Sequence, residues 1–307
     1  MPAVDPADER RHAPTDDLLW NESHYLDWFS ADGSIGGYLR IGLYPNLGRV
    51  WYWACLVGRD RSLVTVIDHE VPLPRGAQSL ELRAEGIWAD HVVETPLDHM
   101  TANLEAFAVA VDDPAEVYGD LRGDRVPFGF ELDWETDRAA YGWPPVTPRY
   151  EIPCRVHGEV LVGDETIEVD GWGQRDHSWG VRDWWERSWC WSAGRLDDGT
   201  RWHTTGAVLP GDDWGVAYEL APSSTAFEEH DRIGHDTTTG RDGLVTSERL
   251  SFGALDLEVA PVAFSPVGLT HPVDGRVARF PRALCDVTDR STGRTGHGWV
   301  EWNQPPA

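Results

Sequence analysis

The stretch Gly171–Trp191, GWGQRDHSWGVRDWWERSWCW, holds six tryptophans, three arginines, two aspartates and one histidine. Arg175, Asp176 and His177 are consecutive, and Arg182 and Asp183 follow closely. A carboxyl group walled by aromatic rings is desolvated, so its pKa rises and it can act as a general acid near neutral pH. Aromatic faces also stabilise a developing cation. An acid beside Trp172, Trp179, Trp184, Trp189 and Trp191 is therefore equipped to protonate an alkene. The same residues support a second reading, in which Asp176 pairs with Arg175 or Arg182 as a structural brace and His177 caps a turn.

Other residues compete for a role. His157, His177 and His203 could together bind a metal, but their spacing follows no compact ligand motif. Glu301, between Val300 and Trp302, and Asp27, on a strand with Tyr25 and Phe29, are further candidate pocket carboxylates. Ser178 follows His177, yet adjacent residues on an extended chain point apart, and no Gly-x-Ser-x-Gly elbow occurs. A Gly-x-Gly-x-x-Gly fingerprint is absent too. With 52 acidic residues, chance carboxylate pairs are inevitable, so glycoside hydrolysis is a minor alternative.

The elements that must position these groups read as strands. Hydrophobicity alternates with period two between turn residues in VWYWACLVG (50–58), LVTVIDHEV (63–71), NLEAFAVAV (103–111), RYEIPCRVHGEV (149–160) and ETIEVDGWG (165–173). RSWCWSAGRL and RWHTTGAVL flank DDGT, a hairpin signal, and PGDD (210–213) predicts a turn into WGVAYEL. RVARFPRALCDV and GHGWVEWNQ close the chain as strands. One helix is signalled, at DPAEVYGDL, with Asp113 at the N-cap, Pro114 at N1 and Glu116 at N3. A short helical turn can form at VRDWWE. YGWPPVTPR (141–149) has three prolines in nine residues and predicts a boundary. The expected organisation is a disordered arm over 1–17, one β domain over 18–143 and a second over 144–307, with the Arg-Asp-His cluster where a strand ends.

Composition narrows the function. Net charge is 26 − 52 = −26, which disfavours nucleic acid and anionic membranes as partners. The sequence contains no lysine, which removes Schiff-base and Walker-type chemistry. The four cysteines are dispersed without a CxxC, as expected of reduced, buried thiols. The N-terminal residues lack an apolar signal core and no run is long enough to span a bilayer, so the expected location is the cytoplasm. No motif calls for a cofactor or metal, and a monomer or homodimer is expected.

GWGQRDHSWGVRDW resembles the central motif of a superfamily of paired lipocalin-like β-barrel domains. That superfamily includes carotenoid hydratases, AttH-like proteins and some fungal Diels–Alderases. NESHYLDWFSADGSIGGYLRIGLYPNLG (21–48) resembles the first strands of its first domain, and GHGWVEWNQ (296–304) its closing strand. The resemblance implies an all-β chain of two lipocalin-like antiparallel barrels side by side, with a ligand cavity and no obligatory redox cofactor. In the hydratases a Tyr-x-Asp supplies the proton donor. Its aspartate aligns with Asp176, and its tyrosine position is Gln174 here. The expected activity is acid-initiated hydration, cyclisation or isomerisation of a hydrophobic, polyene- or terpenoid-like molecule. The alternatives are a non-catalytic carrier and a pericyclase. Asp176 is the expected donor, with Arg175 and His177 tuning it and Glu301 as a second carboxylate. Trp172, Gln174, Trp179, Trp184, Trp189, Trp191, His203 and His157 are the expected substrate contacts.

Overall fold

Antiparallel strands with short turns between them account for nearly all the regular structure of the computed structural model, which describes residues 2–119, 121–208 and 213–306. The first sheet contains β1 (Trp20–Ser30), β2 (Ile35–Tyr44), β3 (Arg49–Gly58), β4 (Leu63–Pro72), β5 (Leu82–Ala84), β6 (Ile87–Thr95), β7 (His99–Val111), β8 (Asp124–Thr136), β9 (Tyr141–Gly142), β10 (Arg149–Val162) and β11 (Glu165–Val181). Its order is β4-β3-β2-β1-β11-β10-β8-β7-β6-β5, and β4 also pairs with β7, which closes a ring. The second sheet contains β12 (Trp189–Leu196), β13 (Arg201–Ala207), β14 (Trp214–Leu220), β15 (Glu228–Arg232), β16 (Gly234–Thr239), β17 (Val245–Phe252) and β18 (Leu255–Phe264). After the ribbon β19 (Val267–Thr270) and β20 (Val277–Phe280), β21 (Arg282–Asp289) and β22 (Thr295–Asn303) complete it. The order there is β15-β14-β13-β12-β22-β21-β18-β17-β16. The protein is thus all-β, with two lipocalin-like bodies. No helix of the described residues is long and apolar enough to cross a membrane.

Three sequence expectations are corrected. The change of sheet falls at 182–188 instead of 143/144, because β10 and β11 hydrogen-bond into the first sheet between β8 and β1. The prolines of 141–149 make a surface crossing inside one sheet. The Arg-Asp-His cluster lies within β11, not at a strand end. The arm is not disordered: Pro6–Glu9 forms a 3-10 turn capped by Asp5, and Glu9 is buried against the first barrel. Its polar composition reflects ion pairs and hydrogen bonds to the barrel mouth, including Arg11 N to Gln78 Oε1 at 2.8 Å. The capped Asp113 segment forms a 3-10 turn, Pro114–Tyr118. The PGDD turn lies, apart from Asp213, outside the described residues.

Two packing layers explain the tryptophan density. The barrel interior takes one face of β1–β3, through Leu26, Trp28, Leu39, Ile41 and Tyr52. The other face of those strands, through Tyr25, Tyr38, Trp51 and Trp53, packs on Trp184 and Trp185 of the connecting segment and on Trp191 and Trp299 of the second body. Both faces of β1–β3 are therefore buried, which is why VWYWACLVG is nearly continuously apolar. Gly173 lets β11 lie close to β1, since a Cβ there would stand 2.0 Å from the Asp27 carbonyl oxygen.

Candidate functional site at the seam between the sheets

Alternation along β11 separates the motif into two sets. Glu151 and Tyr25 sit opposite Asp176 in the neighbouring strands, whereas Tyr150 and His24 sit opposite His177. Asp176 and Gln174 face the seam between the sheets; Arg175, His177 and Trp179 face the first barrel and the arm. The expected arrangement of Arg175 and His177 tuning Asp176 is therefore not formed.

At the seam, Arg149 Nη2 donates to Asp176 Oδ2 at 2.6 Å and its Nε donates to Glu151 Oε1 at 2.7 Å. Arg149, rather than Arg175 or Arg182, is the partner of Asp176; Arg182 donates to Ser178 Oγ at 2.9 Å. Glu151 also accepts from Trp191 Nε1 at 3.2 Å and from Gln174 Nε2 at 3.0 Å, and His203 Nε2 lies 3.5 Å from it. Gln174 reaches the Tyr218 hydroxyl at 3.1 Å. Trp143 lies beneath the Arg149 guanidinium, 4.7 Å from ring centre to carbon. Deeper in the seam, Arg282 pairs with Glu301 and stacks over Tyr25 and Tyr38. Asp27 accepts from Gln174 N at 2.9 Å, and its Oδ2 has no hydrogen-bond partner among the described residues.

Burial dominates the electrostatics. Asp176 is 7% exposed, and desolvation pushes its carboxyl up to about 6 against the opposing pull of Arg149. Burial likewise raises Glu151, Glu301 and, strongly, Asp27. It holds His203 well below the ordinary histidine range, so that ring is neutral. A cleft of about 370 Å³ lined by Trp143, Arg149, Arg182, Trp189, Trp214 and Val216 meets this cluster at Arg149, with Asp176 behind that guanidinium. A larger cavity, about 950 Å³, lies at the β5–β8 rim of the first barrel against Ile87, Leu104, Phe128 and Phe130. Its charged groups, Arg83, Glu105 and Glu131, belong to the rim, so the cleft that touches the acid–base cluster, through Arg149, is the smaller one.

The seam thus brings together Asp176, Gln174, Trp191, His203 and, through the Arg282 pair, Glu301; Trp189 lines the cleft and Trp184 packs beneath Arg40 and Arg182. It leaves out the others. Trp172 stacks under Arg195, Arg201 and Arg155 at the edge. Trp179 stacks on His12 of the arm at 3.7 Å. His157 is exposed near Asp133 and Glu135. His157, His177 and His203 point to three different environments and form no common metal site. Sequence reading missed Arg149, Glu151 and Tyr218. An Arg-x-Glu at period two inside the otherwise apolar RYEIPC was the available signal, because it buries a charge pair on one strand face.

On the barrel side, His177 Nε2 lies 2.6 Å from Glu22 Oε1 and its Nδ1 lies 3.2 Å from the Tyr150 hydroxyl. His12 Nδ1 reaches the same Glu22 oxygen at 2.8 Å, and Arg175 Nη1 donates to Glu9 Oε1 at 2.8 Å. Burial works against the Glu22 carboxylate, but hydrogen bonds from His12 and His177 outweigh it and lower its pKa.

Comparison with known proteins adds the following. Residues 5–306 match the family described as a domain of unknown function, DUF7064. No curated protein matches the sequence. Among solved structures, an AttH-type protein of Nitrosomonas europaea aligns with a TM-score of 0.68 at 13% identity, over 98% of this chain and 97% of that one. Kievitone hydratase from Nectria haematococca aligns at 0.62 and 10% identity, over 94% and 90%. CghA, solved with Sch210972, aligns at 0.60 and 11% identity, over 99% and 96%. These likenesses establish a shared two-body fold.

Proposed function

The chain belongs to the DUF7064 family, and from that starting point we propose that it is an enzyme acting on a hydrophobic small molecule by acid-initiated chemistry at the seam. The observation that carries this reading is Asp176: a buried carboxyl pushed up to about 6, hydrogen-bonded to Arg149 behind an aromatic-lined cleft. Two fold relatives, a hydratase and CghA with its bound Sch210972, support small-molecule chemistry on this scaffold. In the proposed step the Asp176 carboxyl O–H protonates a substrate double bond. The π electrons form the new C–H bond, leaving a carbocation that tryptophan faces stabilise. Arg149 stabilises the carboxylate left behind. Addition of water with loss of a proton gives hydration, attack by an internal double bond gives cyclisation, and loss of a neighbouring proton gives isomerisation.

The test is to extract the purified protein, identify any co-purified ligand by mass spectrometry, and incubate that ligand and a terpenoid panel with protein in deuterium oxide. Deuterium incorporated at carbon by the wild type and not by Asp176→Asn supports the reading. Turnover retained in Asp176→Asn without deuterium incorporation points to a pericyclase. A ligand bound and returned unchanged points to the second reading, carriage without chemistry. The 950 Å³ apolar cavity at the first barrel's rim favours that alternative.

A further inference from the structure

The interior of the second body contains a polar cluster that the seam does not use. Cys190 of β12, His235 of β16 and Glu248 of β17 meet within a core built by Leu250, Leu257, Val287 and Trp302. One ligand atom from each, the thiol sulfur, a ring nitrogen and a carboxylate oxygen, lie within 4.8 Å of one another. The side chains are sealed off: His235 is 5% and Glu248 0% exposed. Glu248 accepts from Trp302 Nε1 at 3.1 Å and from the Thr237 hydroxyl, and His235 Nδ1 lies 3.3 Å away. No arginine pairs with it among the described residues. His235 Nε2 has no hydrogen-bond partner among the described residues. The ring reaches across a gap that glycine leaves open. Gly206 pairs with Cys190 across β12 and β13, and a Cβ at Gly206 would stand 2.8 Å from His235 Nε2.

We propose that Cys190, His235 and Glu248 bind a zinc ion inside the second body, with water in the fourth position. Thiolate, imidazole and carboxylate together form a donor set suited to zinc, and tetrahedral bonds of ~2.0–2.3 Å need only a small inward closure from the present spacing. The charges cancel: one thiolate and one carboxylate against a dication, with neutral imidazole. Apart from the His235 ring, no cationic side chain of the described residues faces this buried carboxylate, and the ion supplies the charge that offsets it. Burial and Glu248 hold the Cys190 thiol well above its ordinary value, so the ion must displace the thiol proton, which passes to solvent as the site fills during folding.

Metal content of the full-length protein, produced with zinc or with cobalt in the medium, tests this. The expected result is about one ion per chain, with a thiolate-to-cobalt charge-transfer band in the cobalt form. That band disappears in Cys190→Ser and persists in Cys55→Ser, which changes a buried cysteine of the first sheet. A metal-free protein from both media, or a band unchanged in Cys190→Ser, overturns the proposal. Should Cys190→Ser fail to fold, wild type refolded from denaturant with zinc or with chelator decides. A higher melting temperature with zinc is expected, and identical melting curves overturn the proposal.

Discussion

Asp176 and His177 are chain neighbours that face different compartments, and only Asp176 reaches the seam. If it is the acid, turnover should fall as pH rises through about 6, roughly tenfold per unit, because only the protonated carboxyl can donate. Asp176→Asn should lower turnover by ~10²–10⁴-fold. Its melting temperature should stay within a few degrees of wild type, since Arg149 keeps Glu151 as an ionic partner. Glu151→Gln should behave in the opposite way. Arg149 then keeps Asp176, but Gln174 and Trp191 lose the charged acceptor they share with it, and breaking a buried pair costs up to roughly 3–5 kcal/mol. Thermal melts and pH–rate profiles of both variants check this. An Asp176→Asn enzyme with wild-type turnover, or one melting far below Glu151→Gln, would contradict it.

At the scale of elements, β11 presents two sets of polar groups on its two faces, and the arm is the element that completes the inner one. Glu9 neutralises Arg175, and His12 contacts both Glu22 and Trp179. Glu9→Gln should therefore destabilise the protein by about 3 kcal/mol or more, because it leaves a buried guanidinium without its counter-charge. His12→Ala should cost less, since its ring is partly exposed and Glu22 keeps His177. Denaturant titrations of the two variants give the order; equal stabilities would show that the arm is not anchored through Glu9.

Across the whole molecule, two buried sets of titratable groups oppose each other. His24, His69, His91 and His203 are held neutral by burial, His91 down to about 3 and His69 to about 4. In the unfolded chain they protonate near 6.5. Between 6.5 and the folded values the unfolded state binds more protons, so this stabilisation is complete above 6.5 and is lost as pH falls. Asp27, Glu151, Asp176 and Glu301 are raised and work the other way, with the folded state holding more protons between about 4 and the folded values. A single substitution isolates one contribution. His91 has both ring nitrogens unpartnered among the described residues, and replacing it by Leu should remove ~2 kcal/mol of the stability change between pH 7.5 and pH 5. Stability measured in denaturant at both pH values reads this directly; parallel pH dependences in wild type and His91→Leu would rule it out.

The strands were legible because alternation is local: VWYWACLVG, LVTVIDHEV, RYEIPCRVHGEV and WGVAYEL all lie in strands close to the expected bounds. The resemblance carried by GWGQRDHSWGVRDW pointed correctly to two lipocalin-like bodies. The sheet boundary was not legible, because prolines interrupt a strand without showing which strands pair across the gap. The geometry of the candidate site was legible in part. A carboxyl among tryptophans marks Asp176, and period two alone separates it from Arg175 and His177. Its partner was not legible: Arg149 lies 27 residues away, and pairing of β10 with β11 brings the two together. The arm's place was likewise a tertiary decision, since its polar residues become buried only when the barrel presents Arg175 and Glu22 to them. Local periodicity is written in neighbouring residues, whereas burial, and the pKa values that follow from it, belong to contacts between residues far apart in the chain.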